Sequence, residues 1–228
     1  MLSLLLSGNF SMEQIIAQIL AVLLIVFLIL PFHEWAHAFT ASLMGDKSVK
    51  YRGRLSINPL SHIDPVGALC LLLFGFGWAK PVPIDPRNFR NPKLGMAVTA
   101  IMGPVANLIA ALAGMLIFNA IYFFAPEFFF GGFGRFVVAF LSYYISCNIG
   151  LAVFNLIPIP PLDGSKVLFL FLPDKAVDFC YRYQQIFFMV LFIGLWVGVF
   201  NGVLSVATNG LFDALDWLAK LPFIAFMK

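Results

Sequence analysis

The sequence predicts an all-α polytopic membrane protein. Its 228 residues are 61% hydrophobic and only 11% charged, where a soluble domain carries about 25% charged residues and cannot cover its surface with fewer. Apolar runs of about 20 residues, the length that crosses a bilayer as a helix, recur along the chain. A net charge of +3, spread over several loops, excludes a nucleic-acid binder, and the apolar content excludes a disordered chain. The chain reads as one integral membrane domain over 1–228, embedded in a lipid bilayer.

The first run is Ile15 to Phe32, after which helix-compatible sequence continues to Met44. The second spans about Met96 to Phe124, with Gly103-Pro104 near its start, the third about Phe136 to Ile157, and the fourth about Ile186 to Leu204. Beyond it Leu211, Leu215 and Leu218 recur near helical spacing beside Asp213, Asp216 and Lys220. That pattern predicts an amphipathic helix lying in the interface, with a fifth crossing as the alternative. The start lacks the basic segment of a cleavable signal. Cys70, Cys147 and Cys180 lie far apart with no CxxC pair, so they read as small buried hydrophobes.

Eight basic residues, from Lys47 to Lys93, fall between Gly45 and Gly95, and none precedes residue 45. The positive-inside rule makes that segment cytoplasmic and the N-terminus external. The 158–185 connection, with Lys166, Lys175 and Arg182, is cytoplasmic as well. Within 45–95, Val49, Tyr51, Leu55 and Ile57 occupy odd positions around Gly53. This period-2 pattern predicts a small membrane-associated β element near 47–57. Leu69 to Phe76 is apolar but too short to span, as a re-entrant segment would be. Lys80-Pro81-Val82-Pro83-Ile84 is extended, because proline disfavours helix for itself and its predecessor.

The chemistry centres on His33-Glu34-Trp35-Ala36-His37. Four residues apart on a helix, His33 and His37 share a face and their ring nitrogens can meet at one zinc ion. Glu34, at the edge of that face, is close enough to take a proton from water activated there. Ionisable residues in an apolar span are functional by default, although two histidines can also simply pair with polar neighbours. A catalytic zinc wants a third protein ligand. Candidates near the cytoplasmic half of the first span are His62, Asp46, Asp64, Asp85 and Asp163. Asp163 follows three prolines at the end of span three, on a stiff turn suited to a ligand; a helix N-cap is the alternative role. His62 reads as a polar loop residue, since a fourth protein ligand would close the position for water.

HEWAH at 33–37 together with NLIPIPPLDG at 155–164 resembles the site-2 protease family of intramembrane zinc metalloproteases, peptidase family M50. NPLSHIDPVG at 58–67, GWAKPVPID at 77–85 and GPVAN at 103–107 resemble its short prokaryotic branch without a PDZ domain. The likeness runs from about residue 20 to 172. It implies a three-helix catalytic core over about 12–172, with further C-terminal helices at about 184–220. It also implies one Zn²⁺ held by His33, His37 and Asp163, with Glu34 as the catalytic base. Asn155 is implied near the zinc as a substrate or oxyanion donor; for Asn107 and Asn148 structural hydrogen bonding is the stronger reading. The expected function is cleavage of membrane-embedded substrates, single-span or signal-peptide-like, as in regulated intramembrane proteolysis, in a prokaryotic plasma membrane with the site toward the cytoplasm. A substrate helix must unwind to expose its peptide bonds, and the 47–57 element or the 79–85 stretch is expected to offer it an edge. The rival readings are a zinc-binding membrane transporter, which calls for more intramembrane carboxylates or histidines, and a catalytically silent chaperone-like relative, which calls for a lost base or ligand.

Overall fold

A computed structural model describes residues 11–74 and 77–226. The first span runs Met12–Met44. Ser11 starts it with a reciprocal cap, its hydroxyl accepting from the Gln14 amide while the Gln14 side chain accepts from the Ser11 amide. The span has two α-helical parts, α1 (Met12–Leu24) and α2 (Leu30–Met44), joined by a π-helical turn at Ile25–Ile29. Pro31 explains the turn. It has no N–H for the carbonyl four residues back and its ring would strike that carbonyl; a wider turn relieves the clash. Gly45, at φ 123°, ends α2.

The 47–57 region corrects the sequence reading. It holds a one-turn helix, α3 (Ser48–Tyr51), and no strand. A β-strand would put Val49 and Tyr51 on one face, yet Val49 is fully buried and Tyr51 is 85% exposed. Gly53, at φ 68°, then turns the chain. Two more helices follow, α4 (Pro59–His62) and α5 (Pro65–Phe74). The apolar Leu69–Phe76 run thus continues α5 and ends outside the described residues. Residues 80–85 have no regular structure and form a strap, bridged to the α4 end by an isolated antiparallel pair, Ile63 with Ala79.

The second span is α6 (Pro92–Phe124), begun by Asn91, whose side chain caps the Leu94 amide. The third is α7 (Gly132–Asn155). Its helix stops two residues before the expected Ile157, since Pro158 disfavours helix in its predecessor. A turn leads to α8 (Asp163–Leu168). The apolar centre lies where α1, α6 and α7 meet, around Ile25, Ile29, Ala111, Met115, Ile145 and Ile149. Small residues on α6, among them Ala100, Gly103, Ala106 and Ala110, are buried and let the helices approach closely.

The C-terminal part departs from a single fourth span. α9 (Asp174–Arg182) and α10 (Gln184–Val197) are bent by 68°. Ile186 to Leu204 is not one helix, because Gly198 takes a left-handed conformation, φ 85°, and stops α10. The chain restarts as α11 (Asn201–Lys220), which packs on α6 and α7 with Leu215 and Ala219 buried. Its apolar stripe therefore serves the bundle. Among the described residues three helices are long and apolar enough to cross a membrane, and a fourth crossing would combine α9 with α10.

Candidate metal centre

His33 and His37 lie on α2 one turn apart, 5% and 6% exposed. Their rings stand edge to face, with centroids 4.7 Å apart and Nε2 atoms 3.0 Å apart. Asp163, the first residue of α8, brings Oδ2 to 3.4 Å from His33 Nε2 and 3.2 Å from His37 Nε2. Among the described residues this is the one His/Cys/Asp/Glu group whose ligand atoms converge closely enough for a metal ion. A tetrahedral zinc with bonds of about 2.0–2.1 Å holds its ligand atoms about 3.3 Å apart, so the spacings fit. Of the other carboxylates weighed from the sequence, Asp46, Asp64 and Asp85 are not in the group, and neither is His62.

Two of the three ligands, His37 and Asp163, are oriented by partners of their own, whereas His33 Nδ1 is buried with no hydrogen-bond partner among the described residues. His37 Nδ1 is 2.8 Å from the Thr99 carbonyl on α6. It donates there, which leaves the Nε2 lone pair facing the cluster. The other Asp163 oxygen, Oδ1, lies 3.4 Å from Lys166 Nζ, which also donates to the Pro161 carbonyl at 2.8 Å. Burial works to raise the Asp163 carboxyl, but the two imidazoles beside it outweigh this and hold the group well below the usual carboxylate range. An ionised carboxylate beside two imidazoles suits a cation.

Gly103 sets how closely the second span can approach. A Cβ there would overlap the His37 ring and come within 2.6 Å of His33 Cε1. Pro104 follows inside α6. The sequence singled out the Gly103-Pro104 break but not this contact.

Glu34 lies on a different flank of α2. Its Oε2 accepts the Val82 amide of the strap at 3.0 Å. The strap is held on both sides of that contact. The Lys80 amide donates to the His62 carbonyl at 2.7 Å, and the Asp85 amide donates to Asp46 Oδ2 at 2.8 Å. Asp46 is fully buried and also accepts from the Ser48 amide at 3.0 Å and Asn88 Nδ2 at 2.7 Å. Burial raises the Asp46 carboxyl; these hydrogen bonds outweigh it and leave the group below its ordinary value. Asp85 is pushed down to about 2, chiefly by the hydrogen bond from the Arg87 side chain.

The remaining candidates separate. Asn148 Nδ2 donates to the Tyr144 carbonyl and Asn155 Nδ2 to the Leu151 carbonyl, each within its own helix. Asn107 is fully buried and neither amide atom has a protein partner. His62 is buried, with Nε2 2.7 Å from the Ser56 carbonyl.

The family model for peptidase family M50 matches residues 131–197, which include Asp163 but not α2. A Bacillus subtilis (strain 168) protein named "Putative zinc metalloprotease YwhC" is 38% identical over 175 residues, covering 75% of this chain and 80% of that protein. Proteins named "Putative zinc metalloprotease Rip2" are similar too. The one from Mycolicibacterium smegmatis is 31% identical over 60% of this chain and 51% of its own length. The one from Mycobacterium tuberculosis H37Rv is 30% identical over 71% of this chain and 62% of its own length. No solved structure matches the chain. The extent of the likeness to the Bacillus protein, together with the apolar spans, makes this chain an integral membrane member of peptidase family M50, the site-2 protease family of metalloproteases.

Proposed function

We propose that the protein is an intramembrane zinc endopeptidase, with one Zn²⁺ held by His33, His37 and Asp163 and Glu34 as its catalytic base. The observation that carries this reading is the meeting of two ligand atoms of α2 with one from the distant α8, with a carboxylate one residue from the first of them. When bound, zinc polarises a peptide carbonyl and acidifies water. The protein's own groups do the rest. Glu34 Oε2 is occupied by the Val82 amide, so Oε1 is the oxygen that takes the water proton and returns it to the leaving amine. Asn107, with its amide unspent, is the better donor to a substrate carbonyl. Asn155 and Asn148 already spend one N–H on their own helices.

The substrates are membrane-embedded segments, single-span or signal-peptide-like, that unwind at the site. Since 47–57 holds no strand, the strap is left as the edge for the unwound chain. Over 80–83 the Lys80 and Val82 amides are spent on His62 and Glu34, and Pro81 and Pro83 have no N–H, so this stretch has carbonyls to offer substrate amides and no donors in return. The basic 45–95 segment supports a site facing the cytoplasm, in a prokaryotic plasma membrane.

The test is zinc content measured alongside cleavage of a single-span peptide, for protein purified in detergent. Wild type should hold one zinc per chain and cleave. Glu34→Gln should keep zinc and lose cleavage; Asp163→Ala should lose both. A folded wild type that takes up no zinc would overturn the assignment, and so would cleavage by Glu34→Gln at the wild-type rate.

A further inference from the structure

Glu34 belongs to α2, but the group that fixes its carboxylate belongs to the strap. The position of the strap is therefore part of the position of the base. Two backbone contacts, Lys80 to His62 and Asp85 to Asp46, bracket Val82. The second depends on a side chain with an unusual environment. Asp46 is fully buried, and no cation pairs with it among the described residues. Its carboxylate is satisfied by N–H donors alone: Oδ1 takes the Ser48 amide and Asn88 Nδ2, and Oδ2 takes the Asp85 amide. An amide in its place would turn an N–H toward one of those donors, so the site requires an acceptor at both oxygens.

Two further observations tie the same end of α2 to the strap. A Cβ on Gly45 would sit 2.8 Å from the Asn88 carbonyl oxygen, so the two backbones touch next to Asp46. Val82 and Phe89 pack with Ala38, Ala41 and Val49 in a small apolar cluster. Ala38 and Ala41 lie on α2 just beyond His37, so the strap is seated on the helix that carries the base.

We propose that Asp46 is a positioning residue for the reaction, clamping the strap onto the end of α2 so that the Val82 amide stays on Glu34. This rests on the reading of Glu34 as the base, and two measurements keep the failures apart. Amide hydrogen exchange over the 80–88 segment reports the clamp without reference to activity. Steady-state cleavage of a single-span peptide, with zinc content, reports its consequence. In Asp46→Ala, exchange over 80–88 should speed up, kcat should fall about ten- to a hundredfold, and KM and zinc content should stay within about twofold of wild type. Asn88→Ala removes one donor to Asp46 and should give a weaker form of the same pattern; it carries the test where Asp46→Ala does not fold. Lys50→Ala, an exposed change on α3, should alter none of these values. Unchanged exchange over 80–88 in a folded Asp46→Ala protein would overturn the clamp, as would a loss of zinc matching the loss of rate. If Glu34→Gln cleaves normally while Asp46→Ala still frees the strap and lowers kcat, the base assignment falls and with it the proposed route from Asp46 to the chemistry.

Discussion

Two flanks of the same helix are built on different principles. On one, His33 and His37 are pressed between the first span, Gly103 of the second and Asp163 beyond the third. Their geometry is set by helix packing. On the other, Glu34 is set by one amide of an irregular strap, which a buried carboxylate holds in turn. Packed helices deform little, whereas a loop tied by a few hydrogen bonds opens at much lower free energy. The ligand flank should therefore respond all or none and the base flank in degrees.

The largest expected effect is at Gly103. Gly103→Val places methyl groups where both imidazoles lie. Zinc binding and cleavage should both be lost, with overpacking costing about 1–3 kcal/mol of stability. Gly150→Ala, on the third span where a Cβ meets nothing within 4 Å, should leave both intact. Zinc retained at wild-type stoichiometry in Gly103→Val would mean that the packing at this point yields, and the contrast between flanks would fail. Next comes Glu34→Gln, which should lower kcat by about 10²–10⁴-fold with zinc undisturbed. Smaller again is Lys166→Met. It removes the cation on Asp163 Oδ1 and should weaken zinc binding about tenfold, the lower end for a group that orients a ligand. Competition with a chelator measures it, and unchanged affinity would show that the Pro161–Leu162 turn alone aims the carboxylate.

The ligand flank was also the more legible in sequence. HEWAH declares itself because a spacing of four is a local property of a helix. Asp163 drew notice through the prolines before it. The partners on the other flank are non-local or made of backbone. Neither the Val82 amide nor the Thr99 carbonyl carries a side-chain signal, and Asp46 looked like one more loop carboxylate near a metal. The 47–57 region misled because four alternating apolar residues fit a strand as well as a helical turn with Val49 in and Tyr51 out. The break in the fourth apolar run had a signal in Gly198, but glycine in an apolar run is tolerated within membrane helices, so its left-handed φ became visible only in the structure.

The smallest predicted effect is a pH dependence confined to the clamp. A carboxyl held below its ordinary value in the folded protein contributes stability above that ordinary value, and the contribution is lost as pH falls through the folded pKa. Asp46 is such a group, so its contribution should be complete at neutral pH and fade below about pH 4. Other carboxylates, Asp85 and Asp163 among them, titrate in the same region, so the melting curve of wild type alone cannot isolate it. The difference between wild type and Asp46→Asn can, because every other group is common to both. At neutral pH the wild type should melt higher, its carboxylate accepting at both oxygens where the amide accepts at one. In acid a protonated Asp46 has the same shape as asparagine and, like it, a donor in place of one acceptor oxygen, so the two curves should converge. A gap that stayed constant from about pH 7 to about pH 2 would mean that the charge on Asp46 contributes nothing. The strap would then be held by packing of Val82 and Phe89, and the base flank would be as rigid as the ligand flank.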